Sequence, residues 1–328
     1  MNSIWFDDWE AYRPKGELAL NAYLAAPDPV KTGFDKLDQL LNGGMTKGVT
    51  VIGGPSSAGK SVLACQCAVG MASMGRKVVY ASYEMSWDVV QLRCASCWSC
   101  GEMAQSMGIK SFAWSDVVSG KERRSRSNMY AGRSRAELSR IMVERPDPIV
   151  QALTAWDEGP GRNLAVICGG ESVAELTANM KFVVRENPGT VLIVDYLQIT
   201  PPSDKSAHDE YERVTSVINE LQAYSMDENG GNVIAISSTR KLNEADVKQG
   251  PSMDWFRGSG YIGYASEQAV MIVPDREKAK DEKGDTVLKL SRNADGSVNE
   301  KMTVVKNKSG QTDFSIPVKL YGNASTFI

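Results

Sequence analysis

Five apolar runs organise the first two thirds of the chain: Gly48–Gly53 (GVTVIG), Lys77–Ser82 (KVVYAS), Leu164–Cys168 (LAVIC), Thr190–Asp195 (TVLIVD) and Asn232–Ser238 (NVIAISS). Each is short, rich in β-branched residues and bounded by turn formers, which predicts strands. The run at Thr190–Asp195 is almost wholly apolar, as expected at the centre of a parallel sheet whose two faces are both covered. Helical spacing fills the gaps. A helix is predicted from about Lys60 to Met74, with Gly75 as its stop, and another from Ser86 past Cys100. Ser172-Val-Ala-Glu175 matches a capping box, after which Val173, Leu176, Met180, Val183 and Val184 keep to one face. Val214, Val217, Ile218 and Leu221 do the same further on. Strands alternating with helices over residues 48–238 imply an α/β domain with a mostly parallel sheet and right-handed crossovers.

After Gly260 the pattern changes to short strands separated by turns: Ala269–Val273, Thr286–Leu290, Met302–Val305 and Phe314–Leu320. Residues 1–31 read as an N-terminal arm carrying Trp5, Phe6, Trp9 and Tyr12, and residues 32–328 as the domain. The stretch at about 115–162 fits neither period. It holds a basic run, Lys121–Arg140, and then a Pro-, Gly- and acid-rich segment, and reads as a partly mobile elaboration on the domain.

Composition narrows the chemistry. The chain has 328 residues, 42% of them apolar and 23% charged, with a net charge of −3. A sizeable core is possible, and any nucleic-acid site must be local. The single histidine, His208, excludes chemistry that needs a histidine pair. Six cysteines in a long chain without a secretory leader or a membrane-length apolar run point to a reducing cytosol.

One motif is specific. Gly54, Pro55, Ser56, Ser57, Ala58, Gly59, Lys60 and Ser61 satisfy G-x-x-x-x-G-K-[ST] between an apolar strand and a helix. Glycines let successive amides turn inward toward phosphate oxygens, and the helix N-terminus adds partial positive charge. Lys60 then reaches the β- and γ-phosphates of ATP, and the Ser61 hydroxyl ligates Mg²⁺. Asp195, closing its apolar strand, is where an acid on the Mg²⁺ side is expected. Glu84 follows the strand Lys77–Ser82, which is expected to lie beside the phosphate-loop strand, and is the candidate to orient and deprotonate the attacking water.

Three segments carry a family resemblance. Thr32-Gly-Phe-Asp-Lys-Leu-Asp38, leading to Gly43-Gly44 and the phosphate loop, resembles the opening of RecA-type ATPase cores. Ser82-Tyr-Glu-Met85 and Val194-Asp-Tyr-Leu-Gln198 are similar to the Ser-Leu-Glu-Met and Ile-Asp-Tyr-Leu-Gln segments of DnaB-type replicative helicases. The resemblance covers residues 32–320. It implies a RecA-like P-loop fold with helices on both sheet faces and a C-terminal β-hairpin region. It also implies a ring, usually of six subunits, that moves along single-stranded DNA on ATP, with a primase or loader as a further partner and no membrane. By position, Arg93 lies near the base. Arg257, Gly258, Ser259 and Gly260 resemble the loop that holds DNA phosphates. Lys306-Asn-Lys308 resembles the Lys-x-Arg hairpin that reaches the neighbouring subunit's γ-phosphate.

The departures are specific. Lys308 stands where the family has an arginine finger, keeping the charge and losing the planar fork. Ser238 stands where a γ-phosphate-sensing glutamine is usual, with Arg240 and Lys241 as candidates to compensate. Only about 30 residues precede the core, so the family's N-terminal helical domain is not expected. These departures keep two further readings open: a RecA-fold recombination or regulatory ATPase that binds DNA without unwinding it, and an ATP-binding scaffold. Cys94, Cys97 and Cys100 are spaced either for a metal or as small thiols packed on one helical face. The basic run reads as a solvated face or as a phosphate-binding one.

Overall fold

The computed structural model describes residues 28–118, 147–203, 209–258, 260–280 and 286–328, with positions 16, 132–134, 136, 137 and 140. The aromatic residues of the arm, most of the basic run, His208 and Ser259 lie outside these.

The strands are β1 (Val49–Gly54), β2 (Val78–Ser82), β3 (Leu164–Cys168), β4 (Val191–Asp195), β5 (Val233–Ser238), β6 (Gln268–Pro274), β7 (Arg276–Lys280), β8 (Thr286–Leu290), β9 (Val298–Asn307), β10 (Ser315–Tyr321) and β11 (Thr326–Phe327). Nine form one sheet in the order β11-β10-β9-β6-β1-β5-β4-β2-β3, and β7 pairs with β8 separately. From β6 to β3 every pairing is parallel; from β6 outward to β11 every pairing is antiparallel. The mostly parallel α/β sheet with antiparallel strands at its C-terminal side is the expected class. One expectation fails. β2 does not lie beside β1, which is flanked by β5 and β6; β5 and β4 stand between them. The chain leaving β1 crosses two strand positions before it re-enters the sheet, leaving slots that β4 and β5 fill later.

The helices are α1 (Asp35–Leu40), α2 (Lys60–Ser73), α3 (Trp87–Ser99), α4 (Glu102–Ser106), α5 (Trp114–Val118), α6 (Pro148–Glu158), α7 (Val173–Glu186), α8 (Glu210–Met226), α9 (Glu244–Gln249) and α10 (Tyr261–Ala265). Alternate strand residues divide two cores between the faces. Ile52, Tyr80, Ile193 and Ile236 pack with α2, α3 and α6. Val51, Ala81, Val194 and Ala235 pack with α7, α8 and α10. The capping box at α7 forms as expected: Ser172 N–H donates to Glu175 Oε2 at 2.8 Å and Glu175 N–H to Ser172 Oγ at 3.4 Å.

Two helical expectations need correction. The helix predicted past Cys100 stops at Ser99, because Gly101 is extended and caps the restart as α4. The segment before residue 162, expected to be a mobile elaboration, is partly core. Asp147 accepts from Ile149 N–H at 2.9 Å, Pro148 takes the first helical position, and Ile149, Ala152 and Trp156 bury one stripe of α6. Trp156 is fully buried, its ring centroid 6.0 Å from that of Trp98, and its Nε1–H donates to Gln91.

Cys94 and Cys97 face the same core from α3 and are buried. Burial pushes the Cys97 thiol up to about 12, so both act as small apolar groups there. Among the described residues no cluster of three or more His, Cys, Asp or Glu is arranged to hold a metal, and no helix is long and apolar enough to cross a membrane.

Candidate nucleotide site

Gly54 ends β1 with its Cα against the next strand: a Cβ there would stand 2.8 Å from the Ile272 carbonyl. Gly59 caps α2 at φ +71, and a Cβ would meet the Phe327 ring at 2.7 Å. Only glycine fits either position, so the loop between them can turn tightly at both ends. Ser56 and Ser57 are exposed, Ala58 is buried beneath them, and Lys60 and Ser61 are half-buried at the first turn of α2. Lys60 Nζ donates back to the Pro55 carbonyl at 2.9 Å. Burial lowers its pKa, opposed by the carboxylates of Asp195, Glu84 and Glu300.

Asp195 closes β4 with 1% exposure. Oδ2 accepts from the Tyr80 hydroxyl at 2.7 Å, while Oδ1 is buried with no hydrogen-bond partner. Burial raises its pKa, against the Tyr80 and Ser61 hydroxyls beside it. A hard divalent cation prefers oxygen ligands. An orphaned carboxylate oxygen near a serine hydroxyl fits Mg²⁺, with Asp195 and Ser61 as the residues to hold it.

Glu84 is set by a local turn rather than by strand adjacency. Ser82 Oγ donates to the Met85 carbonyl at 2.7 Å and accepts from Met85 N–H at 3.0 Å, and Tyr83 N–H donates to the Asp195 carbonyl at 2.8 Å. Glu84 rides this turn and is exposed to the cleft that Ser56, Lys60, Ser61 and Asp195 line, a space of about 530 Å³. Arg93 lines it too. Its guanidinium lies 4.3 Å from the Trp114 ring centroid, and Trp114 in turn donates to the Gly322 carbonyl at 2.8 Å.

Arg257 reaches the cleft rim and pairs with Glu210 at 2.7 Å. Its loop is tied to β5: Arg257 N–H donates to the Ser238 carbonyl at 3.0 Å, and Gln198 Nε2 donates to the Arg257 carbonyl at 2.8 Å. Gly258 sits at φ +96 and Gly260 precedes α10. Arg240, a candidate to stand in for the family's glutamine, is held by its own chain in this structure. It forms a two-pronged pair with Asp246, at 2.8 and 2.7 Å, and donates to backbone carbonyls besides.

Lys306 and Lys308 are not brought to this cleft. β9 runs antiparallel to β6, placing Lys306 opposite Ala269, level with the start of β1. With a rise of about 3.3 Å per residue, the phosphate loop begins roughly 10–15 Å further along the strands. Lys306 donates to the Gly263 and Ser266 carbonyls, and Lys308 pairs with Glu267 at 2.6 Å.

Sequence reasoning missed Tyr80, Trp114, Glu300 and Arg292, the last of which lines the cleft. Tyr80 carried the only local signal, a hydroxyl in the middle of a mostly apolar strand. Glu300 is 2% exposed on β9, both oxygens lacking hydrogen-bond partners. Burial, with Asp275 adding and Lys60 opposing, pushes its pKa up to about 8. A carboxyl raised on folding binds more protons in the native state. The stability associated with it is therefore fully present below its unfolded value and is lost as pH rises toward about 8. Glu300→Gln is expected to flatten this slope, gaining about 2–4 kcal/mol over the parent between pH 5 and pH 9. Urea melts across that range test it; parallel curves for parent and variant would count against the burial argument.

A family model for the DnaB-like helicase C terminal domain matches residues 29–142 and 161–327. The unmatched interval contains α6. Among solved structures, the chain is similar to an ATPase domain, with TM-score 0.67 and 18% identity, covering 96% of this chain and 99% of that one. It is also similar to a DnaB-like replicative helicase studied with primase, with TM-score 0.68 and 16% identity, covering 96% of this chain and 67% of that one. The DNA repair protein RadA of Mycobacterium tuberculosis, in strains CDC 1551 / Oshkosh and ATCC 25618 / H37Rv, is 40% identical over 76 residues. That match spans 23% of this chain and 15% of RadA.

Proposed function

Because the chain belongs to the DnaB-like helicase C-terminal domain family, whose members are ATP-dependent helicases, we propose that it is the ATP-hydrolysing motor of a ring that moves along single-stranded DNA in replication. The observation that carries the site is Asp195: a buried carboxylate with one oxygen unpartnered, near Ser61 and in one cleft with Lys60 and Glu84. The loop amides of Gly54–Ser61 and the Lys60 ammonium hold the triphosphate. Mg²⁺, held by Ser61 and Asp195, neutralises phosphate charge when bound. Glu84 orients the attacking water and takes its proton, so catalysis is positioning and charge stabilisation without a covalent intermediate. Arg93 flanks the base.

Lys306 and Lys308 act on the next subunit's nucleotide, which agrees with their distance from their own phosphate loop. Six subunits form the ring by family likeness. Arg257 and the backbone of Gly258–Gly260 hold DNA phosphates, which must first displace Glu210 from Arg257. A primase or a loader is the further partner, and the cytoplasm the compartment.

One observation favours a second reading, an ATPase of the RecA fold that binds DNA without unwinding. Ser238 Oγ is buried and unpartnered where the family places its glutamine, and Arg240 is held by Asp246. A forked duplex with a single-stranded tail separates the two. Strand displacement that requires ATP, with hydrolysis stimulated by the single strand, is expected. Stimulated hydrolysis without displacement would establish the second reading.

A further inference from the structure

The Tyr80 hydroxyl is a polar group in a place that packing alone would give to phenylalanine. Tyr80 is fully buried in the core beneath α2, with the Cys65 and Cys94 thiols nearby. Its hydroxyl donates to Asp195 Oδ2 at 2.7 Å. β2 and β4 run parallel with Ser82 opposite Asp195 and Tyr80 opposite Ile193. The side chain must therefore lean forward along the strand by two residues to reach the carboxylate. A buried hydroxyl is retained at a cost unless its hydrogen bond compensates. Here the compensating acceptor is the same acid whose second oxygen is orphaned.

We propose that Tyr80 is a positioning residue for the Mg²⁺ site: by occupying Oδ2 it fixes the rotation of the Asp195 carboxyl and keeps Oδ1 free for the cation side. This rests on the reading of Asp195 and Ser61 given above and adds to it a residue on another strand. A carboxylate with both oxygens open can swing, and each swing changes which oxygen is left for a cation. A phenol donating to one oxygen removes that freedom before the cation arrives, as supporting hydrogen bonds do for metal-ligating carboxylates in general. The same strand continues into the Ser82–Met85 turn that carries Glu84. β2 thus orients the metal-side acid through Tyr80 and presents the water-activating acid four residues later.

The test is Tyr80→Phe, which keeps the ring and removes the oxygen. Affinity for a fluorescent ATP analogue is measured in EDTA and then along a Mg²⁺ titration, with the full chain. EDTA affinity within twofold of the parent and a Mg²⁺ half-saturation raised about three- to tenfold are expected. In an Asp195→Asn background the same substitution should leave the half-saturation unmoved, since the oriented carboxylate is already gone. An unchanged half-saturation in the single variant overturns the proposal, and so does an equal loss of affinity in EDTA, which marks a merely structural role. Lys60→Ala separates the underlying reading: if that variant keeps the parent's affinity in EDTA, the phosphate site itself is wrong, whatever Tyr80→Phe does.

Discussion

Lys60→Ala is expected to weaken ATP binding by about two to three orders of magnitude and to abolish measurable hydrolysis, a loss of roughly 3–4 kcal/mol of binding free energy. Lys60 is half-buried at the mouth of α2, and burial already disfavours its charge. In the free protein its ammonium donates to the Pro55 carbonyl, and the charges of Asp195, Glu84 and Glu300 favour it from nearby. A triphosphate offers a denser negative charge than any of these, so the interaction gained on binding is large. Alanine leaves the loop amides in place, because Gly54 and Gly59 set the loop's path independently. The variant should therefore fold with the parent's melting temperature and fail only in binding. Titration with a fluorescent ATP analogue checks this; a dissociation constant within twofold of the parent's would refute the phosphate-loop assignment.

Glu84→Gln is expected to do the opposite: nucleotide affinity within a fewfold of the parent and a turnover number lower by about 10²–10⁴. Glu84 faces the cleft from the Ser82–Met85 turn, whose hydrogen bonds use the Ser82 side chain and backbone and not the Glu84 carboxyl. The amide preserves shape and removes the proton acceptor. Single-turnover hydrolysis with prebound ATP isolates the step. Turnover surviving at the parent's rate would move the base elsewhere in the cleft.

What was legible in the sequence was what is encoded locally. The loop Gly54–Ser61 could be read because its glycines and its lysine stand at fixed spacing between a strand and a helix, and Asp195 because an acid ends an unbroken apolar run. The capping box at Ser172 and Glu175 is closed within four residues. The strand order was not legible, since which slot a returning strand takes depends on every strand that follows; hence the misplacement of β2 beside β1. α6 was hidden by composition, although Asp147-Pro148 is a helix start of ordinary kind, and the stripe Ile149, Ala152, Trp156 keeps helical spacing. The Arg240 pair with Asp246 was not legible, because that partner is fixed only when the chain turns back at Asn243, whose side chain accepts from Asp246 N–H at 2.9 Å. Glu300 needed the third dimension altogether, and the Tyr80 hydroxyl, though visible in its strand, needed it to find Asp195.

The fastening of the Arg257 loop to the end of β5 has a mechanical meaning. Gln198 follows Asp195 by three residues, and its one amide group ties two segments together through three bonds: it donates to Ser237 Oγ and to the Arg257 carbonyl, and accepts from Ser238 N–H. A strut so short has no slack. If the tip of β5 shifts when phosphate is cleaved beside it, the displacement is delivered to Arg257 within a single hydrogen bond. The nucleotide cleft and the Arg257 loop are thus neighbouring parts of one hydrogen-bonded frame.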